Sequence, residues 1–531
     1  MKRRDFIKLS SAAGVAGIVG SHLDAAASPL NAQASGFDLH PFIKAHPEAV
    51  FIYLTDIKEK TDKKGIYDAS YKLAQEMFVS TSGGKGYSNS TKIAAKPNWT
   101  CAPQDKDDPF ASMGIITDLN FTEGYLNGVK SRGPQQFYLR DCACPYQWEP
   151  LGFSDMVKRN NFDLTNLVAK DPWEYNNGEI IFKEVNGTIF KEIGFQSPMT
   201  APDSFLVNLA KFKAHGKGIT ASVKNLQGIA ARRFHQFCST ADAFRSLDKG
   251  YHRFYQPNYV EKIDELHKKH VEAGIPRWNE RMDRPPFNSG LRMEYWVQRM
   301  LDAYSVIPIE TAGINIVEGV YGRDGDGFAG GPHNGKALDI MSNSTLFGID
   351  PFRVDIIAHW LAGHEPGNFG LFHIGIERGL SNVLDPSDIP VYIWKDGKAK
   401  KVKLDKLTRT PLLTYYNQKA NESLYHMCDE PFDYKSWKSA GKIAVNAEPS
   451  IMAIGTDSAN HIVMDMNVPQ KGHVYVDILN NQGEVVWRMY ADDLEPGVHQ
   501  VVWDGFASPG MYNTYVKGMG WDAETEMVIY T

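Results

Sequence analysis

Thr91-Lys92-Ile93-Ala94-Ala95-Lys96-Pro97-Asn98-Trp99 and Gly218-Ile219-Thr220-Ala221-Ser222-Val223-Lys224-Asn225-Leu226-Gln227-Gly228 repeat one pattern. In each, a brief strand-like run ends at a lysine, with an asparagine close behind and turn chemistry following. Val50-Phe51-Ile52-Tyr53-Leu54 and Ile314-Asn315-Ile316-Val317-Glu318-Gly319 read as two further short strands. Helical spacing separates them. From Tyr259 to Ala273, Val260, Ile263, Leu266 and Val271 fall on one stripe, and Leu291 to Val306 behaves alike. Val354 to Leu361 is a third helix candidate. Strands alternating with helices predict an α/β domain with a mixed or mostly parallel sheet and flanking helices. Sites in such sheets form at the carboxyl ends of strands, where this reading puts both Lys96 and Lys224.

Beyond about residue 447 the pattern changes. His473 to Leu479 is a strand, Asn480-Asn481-Gln482-Gly483 a hairpin turn, and Glu484 to Met489 the answering strand. His499 to Gly505 and the run from Gly510 add more. Short strands at this spacing predict a small all-β immunoglobulin-like sandwich over 447–531, after an α/β domain over 36–445.

The N-terminus reads Met1-Lys2-Arg3-Arg4-Asp5-Phe6-Ile7-Lys8, then a mild apolar run from Leu9 to Gly20, then small-residue cleavage sites at Ala25-Ala26-Ala27 or Ala32-Gln33-Ala34. Basic pair, apolar run and cleavage site in that order predict a twin-arginine export signal over 1–34. The expected partner is the twin-arginine machinery, and the expected location is periplasmic or secreted, with no membrane anchor after cleavage. This route carries folded chains, which raises the expectation of a cofactor or metal taken up first. Net charge is −6, near −8 once a leader ending at Ala27 is removed, and no long basic run is present. Nucleic acid is therefore a poor partner. The five cysteines are sparse and form no CxxC pair, so no iron–sulfur or zinc-ribbon motif is encoded. Cys142 and Cys144 are the one close pair; burial is their expected role, a thiolate site the alternative.

Three segments can carry chemistry. First, Lys96, Asn98, Lys224, Asn225 and Gly228 would put two ammonium groups and two amides at one crevice, suited to a carboxylate or phosphate. The plain alternative is two surface lysines, each beside a turn asparagine. Second, Gly322-Arg323-Asp324-Gly325-Asp326-Gly327 runs on to Gly330-Gly331-Pro332-His333-Asn334-Gly335. So much glycine lets backbone N–H groups approach an anion, with Gly327, Gly330, Gly331 and His333 as substrate contacts. Asp324 and Asp326 are candidate metal ligands, although the segment is neither a calcium loop nor a P-loop. A long surface loop is the alternative. Third, Gly348-Ile349-Asp350-Pro351-Phe352-Arg353-Val354-Asp355 places Asp350 as a helix N-cap with Pro351 at the first helical position. Asp355, one turn in beside an apolar stripe, is read as a base or metal ligand.

In this order, these motifs resemble the domain-of-unknown-function family 362 over about residues 90–382, with Gly375-Ile376-Glu377-Arg378-Gly379-Leu380 fitting as its tail. The resemblance implies an α/β domain, sometimes fused to ferredoxin modules, and no established reaction. Glu318 stands where an Asp-Gly pair is expected. Gly497-Val498-His499, Trp503-Asp504-Gly505 and Gly510-Met511-Tyr512 resemble the immunoglobulin-like module of the flagellar hook-capping protein. That likeness implies a docking or supporting role.

The resulting expectation is an exported enzyme acting on an anionic small molecule or glycan-derived substrate. Lys96, Lys224 and Asp355 would be catalytic, and an unidentified cofactor or metal ion would be loaded before export. The alternative is a non-catalytic anion-binding or assembly protein that docks a protein or glycan through its C-terminal domain.

Overall fold

The computed structural model describes residues 36–82, 84–99, 113–141, 148–165, 178–185, 187–215, 218–231, 234, 253–276, 290–307, 313–324, 338–412, 431–439, 450–456, 461–469, 471–503, 508–518 and 521–529. The leader, the five cysteines, Asp326, Gly327, Gly330, Gly331 and His333 lie outside the described residues. What is described falls into two compact units, one within 31–374 and 383–434, the other within 375–382 and 435–531.

The larger unit is built on a nine-stranded sheet. Its strands are β1 (Val50–Leu54), β2 (Lys92–Pro97), β3 (Gln136–Leu139), β4 (Asp163–Leu164), β5 (Ser204–Lys211), β8 (Ile314–Glu318), β11 (Ser344–Gly348), β12 (Val391–Lys395) and β13 (Lys398–Val402). They lie in the order β13-β12-β1-β11-β8-β5-β2-β3-β4. Only β11 and the edge strand β13 run antiparallel to their neighbours. The mixed, mostly parallel sheet expected from the sequence is thus present. Every residue of β5 is buried, as a central parallel strand covered on both faces requires.

One face packs against α1 (Lys63–Met77) and α2 (Leu119–Lys130). There Ile93, Ala95, Phe205, Val207, Leu209, Ile314 and Ile316 join Leu73, Phe121 and Tyr125 in one core. Gly124 and Gly128 let these helices approach closely, because a Cβ would come within 2.3 Å of Tyr67 O and 2.6 Å of Tyr71 O. The opposite face, with Ala94 and Leu206, meets Leu226, Ile229 and Tyr295. It is roofed by α3 (Ser222–Leu226), α5 (Gly290–Ser305) and α6 (Pro351–Leu361). The stripe expected near Val260 is α4 (Tyr259–Glu272), which buries Ile263 and His270.

Two sequence readings change here. The run from Gly218 to Val223 is not a strand of the main sheet. It stops at Thr220 as β7 (Gly218–Thr220), hairpinned to β6 (Lys213–His215), and then turns into α3. Lys224 therefore rides on a short helix rather than on a strand end. The cause is tertiary: Asp355 of α6 accepts the N–H groups of Ser222 and Val223, at 2.6 and 2.9 Å, and so fixes the start of that helix. Conversely β5, the strand beside β2, is absent from the sequence reading. Downstream, Asp350 caps α6 as expected, accepting from Phe352 N at 2.9 Å. Two short strands, β9 (Gly322–Asp324) and β10 (Leu338–Ile340), form a separate pair.

The second unit contains two antiparallel sheets. One orders β14 (Ser450–Thr456), β15 (Ile462–Val468) and β18 (Gly497–Trp503). The other orders β17 (Val485–Leu494), β16 (Gly472–Leu479), β19 (Gly510–Gly518) and β20 (Trp521–Ile529). Strict alternation sends Met464, Met466, Val474, Val476, Ile478, Val501 and Val516 into a common core. Asn480 closes the β16–β17 hairpin, its Oδ1 accepting from Gln482 N and Glu484 N at 3.0 and 2.9 Å. No described helix is long and apolar enough to cross a membrane.

Candidate functional site

Parallel register aligns Lys96, Asn208 and Asn315 as a polar row across β2, β5 and β8. Alternation points them at the α3 face, while Lys211 and Glu318 at the ends of β5 and β8 point at the α2 face. Two polar clusters therefore share the carboxyl edge of the sheet, one on each side.

On the α3 side, Lys96 is 1 % exposed. Its Nζ donates to Asp141 Oδ2 at 2.9 Å, Asn225 Oδ1 at 3.1 Å and Pro97 O at 2.6 Å. Three donors meet three acceptors, so the ammonium is saturated. Asp141 Oδ2 also takes Trp99 N at 2.7 Å. Asn225 gives its amide to Lys96 O and to Asn208 Oδ1, at 3.0 and 2.7 Å. Its oxygen receives Asn98 Nδ2 at 3.0 Å as well as Lys96. Gly228 lies directly over Lys96: a Cβ there would sit 2.5 Å from Lys96 Cε. Gln196 Nε2, bonded to Gly228 O at 3.1 Å, and Arg299 Nη2, bonded to Gln227 Oε1 at 3.2 Å, hold that segment down.

On the α2 side, Lys211 Nζ bonds Glu318 Oε2 at 2.6 Å and stands 3.8 Å over the Tyr321 ring. Tyr321 OH donates to Asp118 Oδ2 at 2.5 Å, and Asp118 Oδ1 caps α2 through Asn120 N and Phe121 N. Burial pushes the Glu318 carboxyl above the usual range, against the pull of Lys211. Next to this lies Lys213, 1 % exposed, donating to Ile115 O. Its proton affinity is well below that of an ordinary lysine. Burial is the main cause, followed by the charges of Lys224, Lys211 and Arg323, opposed by Asp141. Arg323 is itself paired with Asp339, Nε to Oδ1 at 2.6 Å.

Lys96, Asn98, Asn225 and Gly228 thus come together as one constellation, with Lys224 next to Asn225 on α3. Lys96 spends its charge on Asp141 and on holding β2 to α3. Lys213 lies in the field of Lys224. Asp355 does not face an open pocket: both its oxygens hold the start of α3, and burial raises its pKa to about 7. One turn on, burial lowers the His359 pKa to about 4, and its Nδ1 faces Asp355 O at 2.7 Å. Asp324 is buried at the end of β9. Among the described residues no group of three or more His, Cys, Asp or Glu is placed to hold a metal. Gly327, Gly330, Gly331, His333 and Asp326 fall outside them.

The sequence reading missed Asp141, Asn208, Lys211, Lys213 and Asn315. A signal existed for some. Asn208 interrupts an apolar run, and Lys211-Phe212-Lys213 ends it with two lysines flanking a phenylalanine. Asp141 gave none, because only the register of β3 beside β2 brings it to Lys96. A cleft at the end of β1, lined by Tyr53, Asp56, Glu59 and Lys395, lies apart from these residues.

With this arrangement in view, the chain can be placed. Residues 93–359, half of its length, match the family described as a domain of unknown function (DUF362), and the chain belongs to that family. The match spans β2 to α6, the elements that assemble both polar clusters. No curated protein matches the chain.

Proposed function

We propose that this protein binds an anionic small molecule at the carboxyl edge of its sheet, with Lys213 and Lys224 as the charged contacts. One observation carries the reading: the buried Lys213 ammonium, held by Ile115 O, lies in the field of Lys224, while the neighbouring Lys211 and Arg323 are paired with Glu318 and Asp339. A bound carboxylate or phosphate beside Lys213 and Lys224 would favour the charged form of both lysines. Lys96 acts through others, keeping Asn98 and Asn225 in place.

In the enzyme form of this reading, Lys213 is the proton-transfer group, since a lysine of lowered proton affinity can both release and accept a proton nearer neutral pH. The metal or cofactor expected from export after folding would meet Asp324 beside the glycine-rich segment. The recognition form, without catalysis, also has an observation in its favour. Each nearby carboxylate already holds donors: Asp141 has Lys96 and Trp99 N, Glu318 has Lys211 and Val320 N, and Asp355 has two amides. In the C-terminal unit, which we read as immunoglobulin-like, Tyr475 and Tyr490 are nearly half exposed with rings 4.6 Å apart, a surface suited to a protein or glycan partner.

Thermal stabilisation by inorganic phosphate, citrate and sugar phosphates tests the site. Wild type should respond to at least one, and Lys213→Met and Lys224→Met should lose the response while remaining folded. A response unchanged in both variants refutes it. Elemental analysis of protein purified from its host separates the two forms: stoichiometric metal supports the enzyme, and none supports recognition alone. Export through the twin-arginine machinery to the periplasm or beyond is tested by replacing Arg3 and Arg4 with lysine, which should leave the precursor in the cytoplasm.

A further inference from the structure

Side-chain amides are ambiguous alone, because oxygen and nitrogen can exchange places, but here each orientation is anchored. Asn315 Nδ2 meets Ile349 O at 2.9 Å. A main-chain carbonyl only accepts, so that atom is nitrogen and Asn315 Oδ1 turns to Asn208. Asn208 Nδ2 donates to it at 2.9 Å and to Ser222 O at 3.1 Å, a second carbonyl. Asn208 Oδ1 must then accept from Asn225 Nδ2, which a third carbonyl, Lys96 O, confirms. Asn225 Oδ1 faces the Lys96 ammonium, which only donates. Asn98 consequently has no choice: its nitrogen faces Asn225 Oδ1, and its oxygen is turned the other way.

That oxygen is buried, in a residue 7 % exposed, and accepts no hydrogen bond from the described residues. A buried polar atom left without a partner is costly, and native proteins rarely tolerate one without a reason. Its location supplies the reason. The Asn98 backbone bonds Thr117, N to Oγ1 at 2.8 Å, and Thr117 follows closely on Ile115, whose carbonyl holds Lys213. The Asn98 side chain leans on Asn225, the neighbour of Lys224. Asn98 therefore joins, through its backbone and its side-chain nitrogen, the segments that carry the two lysines.

We infer that Asn98 Oδ1 is an acceptor subsite for a hydroxyl or amine of the same ligand, so the ligand is an anion carrying its own donor, such as a hydroxy acid or a polyol phosphate. This rests on the anion-binding reading above and narrows it. Asn208 and Asn315 are positioning residues: they keep that acceptor from flipping.

Matched probes test it: lactate against propionate, and glycerol phosphate against propyl phosphate, each titrated calorimetrically into the full chain. In at least one pair the hydroxylated anion should bind about 10-fold tighter, the size of one good hydrogen bond. The preference should fall to about 1 in Asn98→Leu and weaken in Asn315→Leu, where the chain of amides loses its fixed end. Equal binding of both members of each pair by wild type overturns the subsite and leaves the anion site standing. Binding of no probe, with Lys213→Met equally silent, overturns both. Should Asn98→Leu fail to fold, a crystal of wild type with the preferred anion decides: its hydroxyl oxygen within about 3.0 Å of Asn98 Oδ1 supports the subsite, and any other location overturns it.

Discussion

Gly228→Ala probes the joint on which the site is built. An ideal Cβ at this position lies 2.5 Å from Lys96 Cε, 2.9 Å from Lys96 Nζ and 3.4 Å from Asp141 Oδ1. The first two approaches are shorter than real Cβ contacts, so something must move. Arg299 and Gln196 pin the segment that carries the glycine, so Lys96 is the group that yields. A free lysine would swing away cheaply. This one is buried and holds three acceptors, and leaving them strands Asp141. Overpacking a tight interior costs about 1–3 kcal/mol, and breaking one side of a buried ion pair about 3–5 kcal/mol. Partial relaxation keeps the total below their sum, so we expect a loss of about 3 kcal/mol. Urea unfolding followed by tryptophan fluorescence reads it, since Trp99 and Trp148 are buried 5.9 Å apart on the segments flanking Asp141. In an Asp141→Asn background Lys96 is already without its charge partner, and the same alanine should cost at least about 1 kcal/mol less. A loss under about 0.5 kcal/mol, or an equal loss in both backgrounds, refutes the argument.

The Asp355 and His359 pair gives stability two opposing pH slopes. Asp355 binds its proton more tightly folded than unfolded, so its contribution is lost as pH rises from about 4 to about 7. His359 does the reverse, losing its contribution as pH falls from about 6.5 to about 4. Asp355→Asn should therefore leave a melting temperature that climbs with pH across that window, and His359→Phe one that drops; parallel profiles would reject both assignments. For Lys213, whose folded form holds its proton less tightly than the unfolded chain, wild-type stability should rise with pH toward about 10.4, and Lys213→Met should melt higher at neutral pH without that rise. Tyr321→Phe leaves Asp118 Oδ2 without its phenol and should cost about 1–2 kcal/mol by urea unfolding. Asn480→Ala should lower only the melting of the C-terminal unit, by about 1 kcal/mol, and a shift in the larger unit instead would contradict the division of the chain.

Local chemistry was legible along the chain wherever a single element suffices. Alternation wrote the strands near Val474 and Val501, Asp350-Pro351 wrote the start of α6, and Asn480 to Gly483 wrote a hairpin. The motifs around Lys96, Asn98, Asn225 and Gly228 mark these residues without reference to their contacts. Their roles were not legible. Whether Lys96 grips a ligand or a carboxylate depends on where β3 delivers Asp141, and nothing near residue 141 announces that.

The sequence by itself determined the alternation of strands and helices, the change to an all-β tail and the polar punctuation of the strand ends. These follow from side-chain period and turn preference, which act over a few residues. Only the tertiary structure decided that Ser222 begins a helix, that Lys213 is held at Ile115, and that Asn98 turns its oxygen away from Asn225. Each of those depends on groups more than ninety positions apart in the chain: Asp355 for the helix, Ile115 for Lys213, and Asn225, Asn208 and Asn315 for the amide. Hydrogen bonds and buried charge act through space, and sheet register, not sequence spacing, sets those distances.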